Sequence, residues 1–320
     1  MTVRLLVVAT ALGCVVLSAA AQGARPAIRK LGTIDCDMVE TNPVVFNNRL
    51  YRFEYVRATR YAPNTTGESY FRFIDVATGA PTPAFAKGCH LGSAYVLGET
   101  MYAYGVDAWG GQHIKVFWSK DLDTWESRTA LELPGWQIFN NSVCSDASRH
   151  IMAFEIGAPP EETGAAFTMR FATSDDLIAW TLTPPECVYT KERYSACGDI
   201  HYLDGYYYMI YLEALPGCWE PYLVRSKDLI HWESSPYNPV IQHSDEDRRI
   251  ANAALTDEQR KRIETATNAN NSDVGLCEFE GRTVLYYSWG DQHGTEHLAE
   301  AVYDGGVKAL LEGFFPSPSK

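Results

Sequence analysis

Three stretches of the chain are almost alike: SKDLDTWE at 119–126, SDDLIAWT at 174–181 and SKDLIHWE at 226–233. Each is a copy of Ser-x-Asp-Leu-x-x-Trp, and successive copies begin 55 and 52 residues apart. Strand-like sequence that alternates apolar with polar residues precedes each copy, and extended sequence follows it. Because the Asp can accept hydrogen bonds from turn amides while the Trp packs beneath, the motif predicts a tight connection between two strands.

A second repeat consists of an apolar strand, a polar turn and an aromatic-rich strand. Its turns carry hairpin residues such as Asp204-Gly205. The five copies lie at 42–56, 92–106, 141–156, 198–213 and 272–289. Repeats of this length indicate a propeller or a solenoid. We therefore predict an all-β fold, a five-bladed β-propeller with four-stranded antiparallel blades. A β-sandwich is the alternative, and the constant spacing argues against it.

The N-terminal residues have the pattern of a secretory signal peptide. Arg4 is followed by an apolar run over 5–17 and by three alanines at 19–21. The apolar run is short for a bilayer span of roughly 20 residues. We therefore expect a signal peptide at 1–21, a secreted or periplasmic protein, and a single propeller domain at 22–320.

One segment lacks strand periodicity. Thr256 and the three polar residues after it form a helix start. We expect a helical insertion at 243–271, between blades four and five.

Charge and cysteine content narrow the class of ligand. The 320 residues include 40 acidic and 27 basic residues, for a formal net charge of −13. This charge argues against nucleic acid and anionic membrane partners, and it is compatible with a neutral ligand. The seven cysteines beyond the leader include no Cys-x-x-Cys pair, which argues against zinc. Cys187, Cys197 and Cys218 are close enough in sequence for one disulfide, and buried free thiols are the alternative.

The starts of the innermost strands of a propeller surround a central channel, and here they are polar. Acids and amides stand at these starts, and tryptophans stand in loops that reach the same face. Tryptophan faces stack on sugar rings, and paired carboxylates cleave glycosidic bonds. The combination therefore points to a carbohydrate ligand.

With these motifs, the chain beyond the leader resembles the five-bladed propeller glycoside hydrolases, the superfamily of arabinanases, β-xylosidases, invertases and levansucrases. The resemblance is closest to glycoside hydrolase family 43. The residues that carry it are the three Ser-x-Asp-Leu-x-x-Trp units, NPVVF with LYRF in blade one, and GDIHYLDGYYYMIY in blade four. The family's first-blade Asp-Pro appears here as Asn42-Pro43. Its fourth-blade Glu-Gly-Pro appears as Cys197-Gly198-Asp199.

The resemblance implies three carboxylates on the channel. We expect Glu40 to be the base or nucleophile and Asp199 to hold the geometry. Glu213 ends the apolar strand YYYMIYLE and is the expected general acid, and Asp273 competes for any of these roles. The expected substrate-binding residues are His90, Asn141, Asn271, Trp109, Trp219 and Trp289.

No cofactor and no metal are expected. An axial calcium near His90, Asp199 and Asp273 is the minor alternative, and no loop has calcium-ligand periodicity.

The sequence thus predicts an exported glycoside hydrolase that acts by carboxylate acid/base catalysis, with inversion. Its partner is a carbohydrate substrate, with no nucleic acid and no membrane after leader cleavage. A carbohydrate-binding propeller without catalysis is the alternative. A glycoside phosphorylase is a third reading, for which the scattered candidates to bind phosphate are Arg57, Arg60, Lys191 and Arg193.

Overall fold

The computed structural model describes residues 25–57, 68–196 and 198–316. The proposed leader and Cys197 lie outside these ranges. Within them the chain is mostly β-strand. The strands are β1 (Arg29–Cys36), β2 (Asn42–Phe46), β3 (Arg49–Val56), β4 (Tyr70–Asp75), β5 (His90–Leu97), β6 (Thr100–Val106), β7 (His113–Ser119), β8 (Glu126–Glu132), β9 (Gln137–Ser145), β10 (His150–Ala158), β11 (Thr168–Ser174), β12 (Thr181–Leu182), β13 (Asp199–Leu203), β14 (Tyr206–Leu215), β15 (Cys218–Ser226), β16 (Trp232–Ser234), β17 (Asn270–Phe279), β18 (Arg282–Gly290) and β19 (Glu296–Tyr303).

Short helices occupy the connections. They are α1 (Pro160–Thr163), a 3₁₀ helix (Asp245–Arg248), α2 (Asp257–Thr265) and α3 (Val307–Gly313). Helix α2 begins with a reciprocal cap: the Gln259 amide donates to Thr256 Oγ1, and the Thr256 amide donates to Gln259 Oε1. The 3₁₀ helix and α2 both fall within the insertion predicted at 243–271. In the described part of the chain, no helix is long and apolar enough to span a bilayer.

The strands pair in antiparallel groups that follow the chain. These groups are β2-β3-β4, β5-β6-β7-β8, β9-β10-β11-β12, β13-β14-β15-β16 and β17-β18-β19-β1. Strand β1 comes from the N-terminal end and supplies the outer strand of the last group, which joins the two ends of the chain. The last two groups also meet through a parallel pair, Trp219 with Asn270.

The first group departs from the predicted four strands. It has three, and the segment 81–85 occupies the fourth position through isolated bridges from Ile74 to Pro81 and from Phe71 to Phe85. The two prolines at 81 and 83 prevent regular pairing there, because proline donates no amide hydrogen.

The innermost strands contact one another in a closed cycle, β2, β5, β9, β13, β17 and again β2. An apolar cluster lies between each pair of successive groups, for example around Phe53 and Phe71 between the first and second. Others lie around Phe154, Met209, Tyr287 and Tyr286. Because the inner strands run in the same direction, their polar starts meet at one end of the central channel.

The Ser-x-Asp-Leu-x-x-Trp motif forms the predicted turn. In the second copy, Asp176 Oδ1 accepts from the amides of Ile178 and Ala179, both at 2.8 Å. Ser174 Oγ donates to the same oxygen at 3.0 Å. Asp121 and Asp228 make the same pair of amide contacts in their own copies, and the central leucine of each copy adopts a positive φ of 62–65°.

The motif tryptophans pack into the structure rather than facing a ligand. The Trp125 ring stacks on Phe85 with centroids 3.9 Å apart. Trp180 is buried, and Trp232 stacks on Phe171. The motif therefore serves the fold, and the search for function moves to the channel.

Candidate functional site

A small cavity lies at the channel end where the inner strands begin. Its volume is about 30 Å³, enough to hold a water molecule. Carboxylates, amides and glycines line it: Glu40, Asn42, Gly92, Asn140, Asn141, Ser142, Gly198, Asp199, Asp273 and Val274. The structure thus brings together three of the four predicted catalytic residues. A larger cavity of about 330 Å³ continues between the inner strands and shares Asn42, Ser142 and Asp199 with the first.

Glu40 stands just before β2, in a left-handed backbone conformation with φ of 53°. Its side chain is 11 % exposed, and Arg57 Nη2 donates to its Oε2 at 2.7 Å. Burial raises the pKa of Glu40, and the negative charge of Asp273 raises it further, while Arg57 and a hydrogen bond from Asn140 oppose that rise. Among the carboxylates that line the cavity, Glu40 therefore has the environment of a proton donor.

Asp273 lies on β17 beside Glu40 and is also in a left-handed conformation, with φ of 50°. Ser272 Oγ donates to its Oδ2 at 3.1 Å. The negative charge of Asp273 contributes to a raised pKa at both Glu40 and Glu296. Two left-handed non-glycine residues at one site store backbone strain, which is typical of functional positions.

Glu296 is a buried carboxylate that is influenced by the charge of Asp273. It begins β19, is 3 % exposed, and accepts from the Gln292 amide at 2.7 Å. Burial, with the charge of Asp273, raises its pKa to about 8. The sequence did not indicate this burial, because nothing in the neighbourhood of Glu296 shows that the loop at 291–295 contacts it.

Asp199 begins β13, and its carboxylate is held on both oxygens. Ser142 Oγ donates to Oδ1 at 2.9 Å, and His201 Nε2 lies 3.0 Å from Oδ2. Strands β13 and β2 are not neighbours around the channel. Asp199 and Glu40 therefore reach the cavity from separate inner strands.

Asn140 and Asn141 extend the polar lining. Asn140 Nδ2 donates to Glu155 Oε2 at 2.8 Å, and its side chain also bonds Glu40. Asn141 accepts from Ser93 Oγ at 2.7 Å and donates to the Leu91 carbonyl. Both amides are therefore oriented by the protein rather than free to rotate.

An aromatic wall rises beside Glu40. The Arg57 guanidinium lies 5.3 Å from the Tyr55 ring centre and 5.4 Å from that of Trp109. His90 shares a hydrogen bond of 2.6 Å with Tyr55 and meets Trp109 edge to face. Burial, followed by the Arg57 charge, lowers the pKa of His90. Trp109 is 58 % exposed, so this wall presents an open aromatic face next to the cavity.

Glu213 lies apart from the cavity. Arg193 Nε contacts both of its oxygens, at 3.1 and 3.2 Å, and Tyr211 donates to Oε2 at 2.6 Å. All of these contacts are within the fourth strand group and the loop that precedes it. The structure therefore does not bring the expected general acid together with Glu40, Asp199 and Asp273.

Two predicted substrate contacts need correction. Trp289 is fully buried, and its Nε1 donates to Thr33 Oγ1 at 2.8 Å, so it offers no face to a sugar. Asn271 is also fully buried and bonds Lys30 and Asp247. Both lie on strands of the last group, but their side chains point between sheets rather than into the channel.

Trp219 is half-buried at the edge of the fourth group, where its ring meets His293 edge to face with centroids 6.4 Å apart. It remains a candidate platform on a different wall from Trp109.

The three residues expected near an axial calcium lie in two different places. Asp199 and Asp273 line the cavity, but His90 belongs to the aromatic wall and bonds Tyr55 and Ser69. No set of calcium ligands is therefore formed by these three residues together.

No family model and no curated protein matches the sequence. Solved structures do match. An α-L-arabinofuranosidase from Podospora anserina, in complex with cellotriose, superposes with a TM-score of 0.59 at 7% identity, over 88% of this chain and 99% of that one. The fold is that of propeller glycoside hydrolases.

Two bacterial structures agree with this assignment. A glycosyl hydrolase from Bacteroides ovatus gives a TM-score of 0.53 at 12% identity, over 90% of this chain and 95% of its own. A family 43 endo-arabinanase from Bacillus licheniformis gives 0.52 at 11% identity, over 84% and 95%. The predicted all-β propeller is confirmed. At these identities the likeness establishes the fold alone, so activity has to be argued from the site.

Proposed function

We propose that the protein is a glycoside hydrolase that cleaves a glycosidic bond at the channel entrance. The observation that carries the proposal is the convergence of Glu40, Asp199 and Asp273 on one cavity that is large enough for a water molecule. Acid-catalysed glycoside hydrolysis needs a proton donor, a second carboxylate and, with inversion, a water between them. All three requirements have a counterpart in this cavity.

Glu40 is the proposed general acid. Burial and the charge of Asp273 raise its pKa, which favours the protonated form that a leaving glycosidic oxygen requires. This role differs from the base or nucleophile expected from the sequence. Asp273 is the proposed modulator, because its charge favours the protonated form of Glu40.

Asp199 is the proposed base. Ser142 and His201 hold its carboxylate at the side of the cavity contributed by β13. A water between Asp199 and Glu40 would attack the anomeric carbon and lose a proton to Asp199, while the bond from that carbon to the leaving oxygen breaks and Glu40 protonates this oxygen. This arrangement is the inverting form of the reaction.

Trp109 is the proposed platform for a sugar ring. Arg57, which contacts Glu40, lies against the Trp109 ring, so a sugar stacked on the exposed part of that ring would lie near the acid. The proposed ligand is therefore a neutral polysaccharide or oligosaccharide. Action outside the cytoplasm is part of the proposal and depends on the leader pattern at 1–21.

The basic residues argue against a phosphorylase. Arg57 pairs with Glu40, Arg193 with Glu213, and Lys191 with Glu162 at 4.0 Å. Arg60 lies outside the described residues. The described candidates for a phosphate site are thus each next to a carboxylate, which competes with phosphate for them.

The test is reducing-sugar release from a broad glycan panel. Glu40→Gln, Asp199→Asn and Asp273→Asn are run beside the wild type, with the exposed Glu126→Gln as a matched control. Loss of release in Glu40→Gln and Asp199→Asn, with reduced but measurable release in Asp273→Asn and the control unchanged, supports the proposal. Binding to the same glycans without release by the wild type would favour the non-catalytic carbohydrate-binding alternative, for which the family's Asp being Asn42 here is the supporting observation.

A further inference from the structure

Three potential metal ligands meet away from the cavity. The Cys218 thiol, a Glu220 carboxylate oxygen and a His243 ring nitrogen all lie within 4.8 Å of one another. Cys218 and Glu220 are two residues apart on β15, so both side chains project from the same face of that strand. His243 comes from the connection that follows β16. The cluster thus joins two segments that are distant in sequence.

Glu220 is the most constrained member. It is 1 % exposed, and among the described residues His243 is its ion-pair partner, through ring Nδ1. The His243 amide also donates to both carboxylate oxygens, at 3.3 and 3.2 Å. The positive charge of Lys30 also acts on Glu220. The Lys30 amine itself is bonded to Asp247 at 2.6 Å and to Asn271 at 2.8 Å.

A carboxylate buried in this way is costly unless a positive charge compensates it. His243 supplies hydrogen bonds to this carboxylate from both its amide and its ring. A cation bound among the three side chains would place a positive charge directly at the carboxylate, and it would also replace the close approach of Glu220 and His243 by two bonds to a metal.

The donor atoms identify the class of metal. Sulfur, imidazole nitrogen and carboxylate oxygen together suit zinc, which binds them at about 2.0–2.3 Å. Ligand atoms around a tetrahedral zinc are then about 3.2–3.7 Å apart, so the cluster needs only small side-chain adjustments. Calcium and magnesium select oxygen ligands and do not suit a thiol.

We propose that Cys218, Glu220 and His243 form a site for a zinc-class divalent ion, with the fourth position open to water. The absence of a Cys-x-x-Cys pair in the sequence argued against zinc, but a Cys-x-Glu pair on a strand with a distant His provides three ligands without that motif. Trp219 lies between two of the ligands and projects from the opposite face of β15. A bound metal would therefore fix the strand that carries this rim tryptophan.

The experiment is metal titration of the full chain after removal of bound metal with a chelator. Zn²⁺ binding is measured by competition with a chromophoric chelator, and Co²⁺ is used as a spectroscopic substitute that reports thiolate ligation by a charge-transfer band. The variants are Cys218→Ser and His243→Gln, both at half-buried positions. Cys277→Ser, another half-buried thiol, is the matched control.

We expect one Zn²⁺ per chain, a cobalt–thiolate band, and no competition from an excess of Ca²⁺. Cys218→Ser should lose the band, and each ligand variant should bind Zn²⁺ at least about 10- to 100-fold more weakly. Cys277→Ser should bind as the wild type does. Circular dichroism confirms that each variant is folded, and if Cys218→Ser does not fold, His243→Gln alone decides.

Substoichiometric Zn²⁺ on the folded wild type overturns the proposal. A cobalt–thiolate band that survives Cys218→Ser, or that disappears in Cys277→Ser, also overturns it. None of these readouts depends on glycoside hydrolysis, so failure of the metal site and failure of the proposed activity are separate results.

Discussion

Replacing Glu40 by Gln tests the proposed general acid with little disturbance of shape. Gln has nearly the same volume, and its carbonyl oxygen can still accept from Arg57, which now donates to Glu40 at 2.7 Å. The change removes the proton and the charge but leaves the contact. We therefore expect a folded protein whose thermal midpoint stays close to that of the wild type.

The rate should fall by about 10²–10⁴-fold, the usual contribution of a positioned acid, which corresponds to about 3–5.5 kcal/mol in the activation free energy. Since proton donation acts only in the transition state, kcat should carry the loss and KM should change little. The assay is initial rate against concentration on the glycan that the wild type cleaves best.

A substrate with an activated leaving group distinguishes the role of the proposed acid, Glu40, from that of the proposed base, Asp199. The nitrophenolate group of a nitrophenyl glycoside leaves without protonation by an acid, so Glu40→Gln should lose much less activity on this substrate than on the natural glycan. Asp199→Asn should lose activity on both substrates, because attack by water still needs a base. An equal loss on both substrates in Glu40→Gln would refute the acid role, and a loss below about 3-fold on the glycan would remove Glu40 from the reaction.

Three further predictions concern the surroundings of Glu40. Asp273→Asn removes the charge that raises the pKa of Glu40, so the decline of kcat/KM at high pH should begin at lower pH than in the wild type; an unchanged pH profile would contradict the coupling. Trp109→Ala should lower kcat/KM about 3- to 10-fold through KM, while Leu97→Ala, an exposed apolar control, should not. Glu296 has a pKa of about 8 when folded, so the folded state keeps a proton that the unfolded state releases above about 4.5. Stability should therefore fall between those pH values by at most about 1.4 kcal/mol per pH unit from this group, and urea unfolding of Glu296→Gln should show a smaller decline.

The fold could be predicted because its signals are local and repeated. Asp176 shows the reason: the turn needs an acceptor for two amides within three residues, so the requirement appears as a short motif wherever the turn recurs. The hairpin turns are equally local. The prediction of four strands does not hold for the first group, because the prolines at 81 and 83 act against strand pairing. The segment that replaces the fourth strand is determined by the positions of the neighbouring strands.

The site could be predicted only in part, because its contacts are between residues far apart in sequence. Glu40, Asp199 and Asp273 were found since each stands at the start of an inner strand, a position that the repeat defines. Asn271 stands at a comparable position, and Trp289 is its partner near the end of β18, yet the direction of each side chain depends on local register, which shifts between Ser272 and Gly275 on β17.

The sequence could not show the pairing of Glu213 with Arg193 either, because Arg193 lies in a loop outside the repeat. The same holds for Cys218, Glu220 and His243, where two ligands share a strand face and the third arrives from beyond β16.

The sequence departs at two positions from the pattern of the propeller glycoside hydrolases that it resembles. The family's first-blade Asp is replaced here by Asn42, and a carboxylate two residues earlier, Glu40, lines the same cavity. Likewise Asp199 lines the cavity two residues after Cys197, which stands in place of the family's Glu. The glycan panel with Glu40→Gln and Asp199→Asn decides whether these two carboxylates carry catalysis.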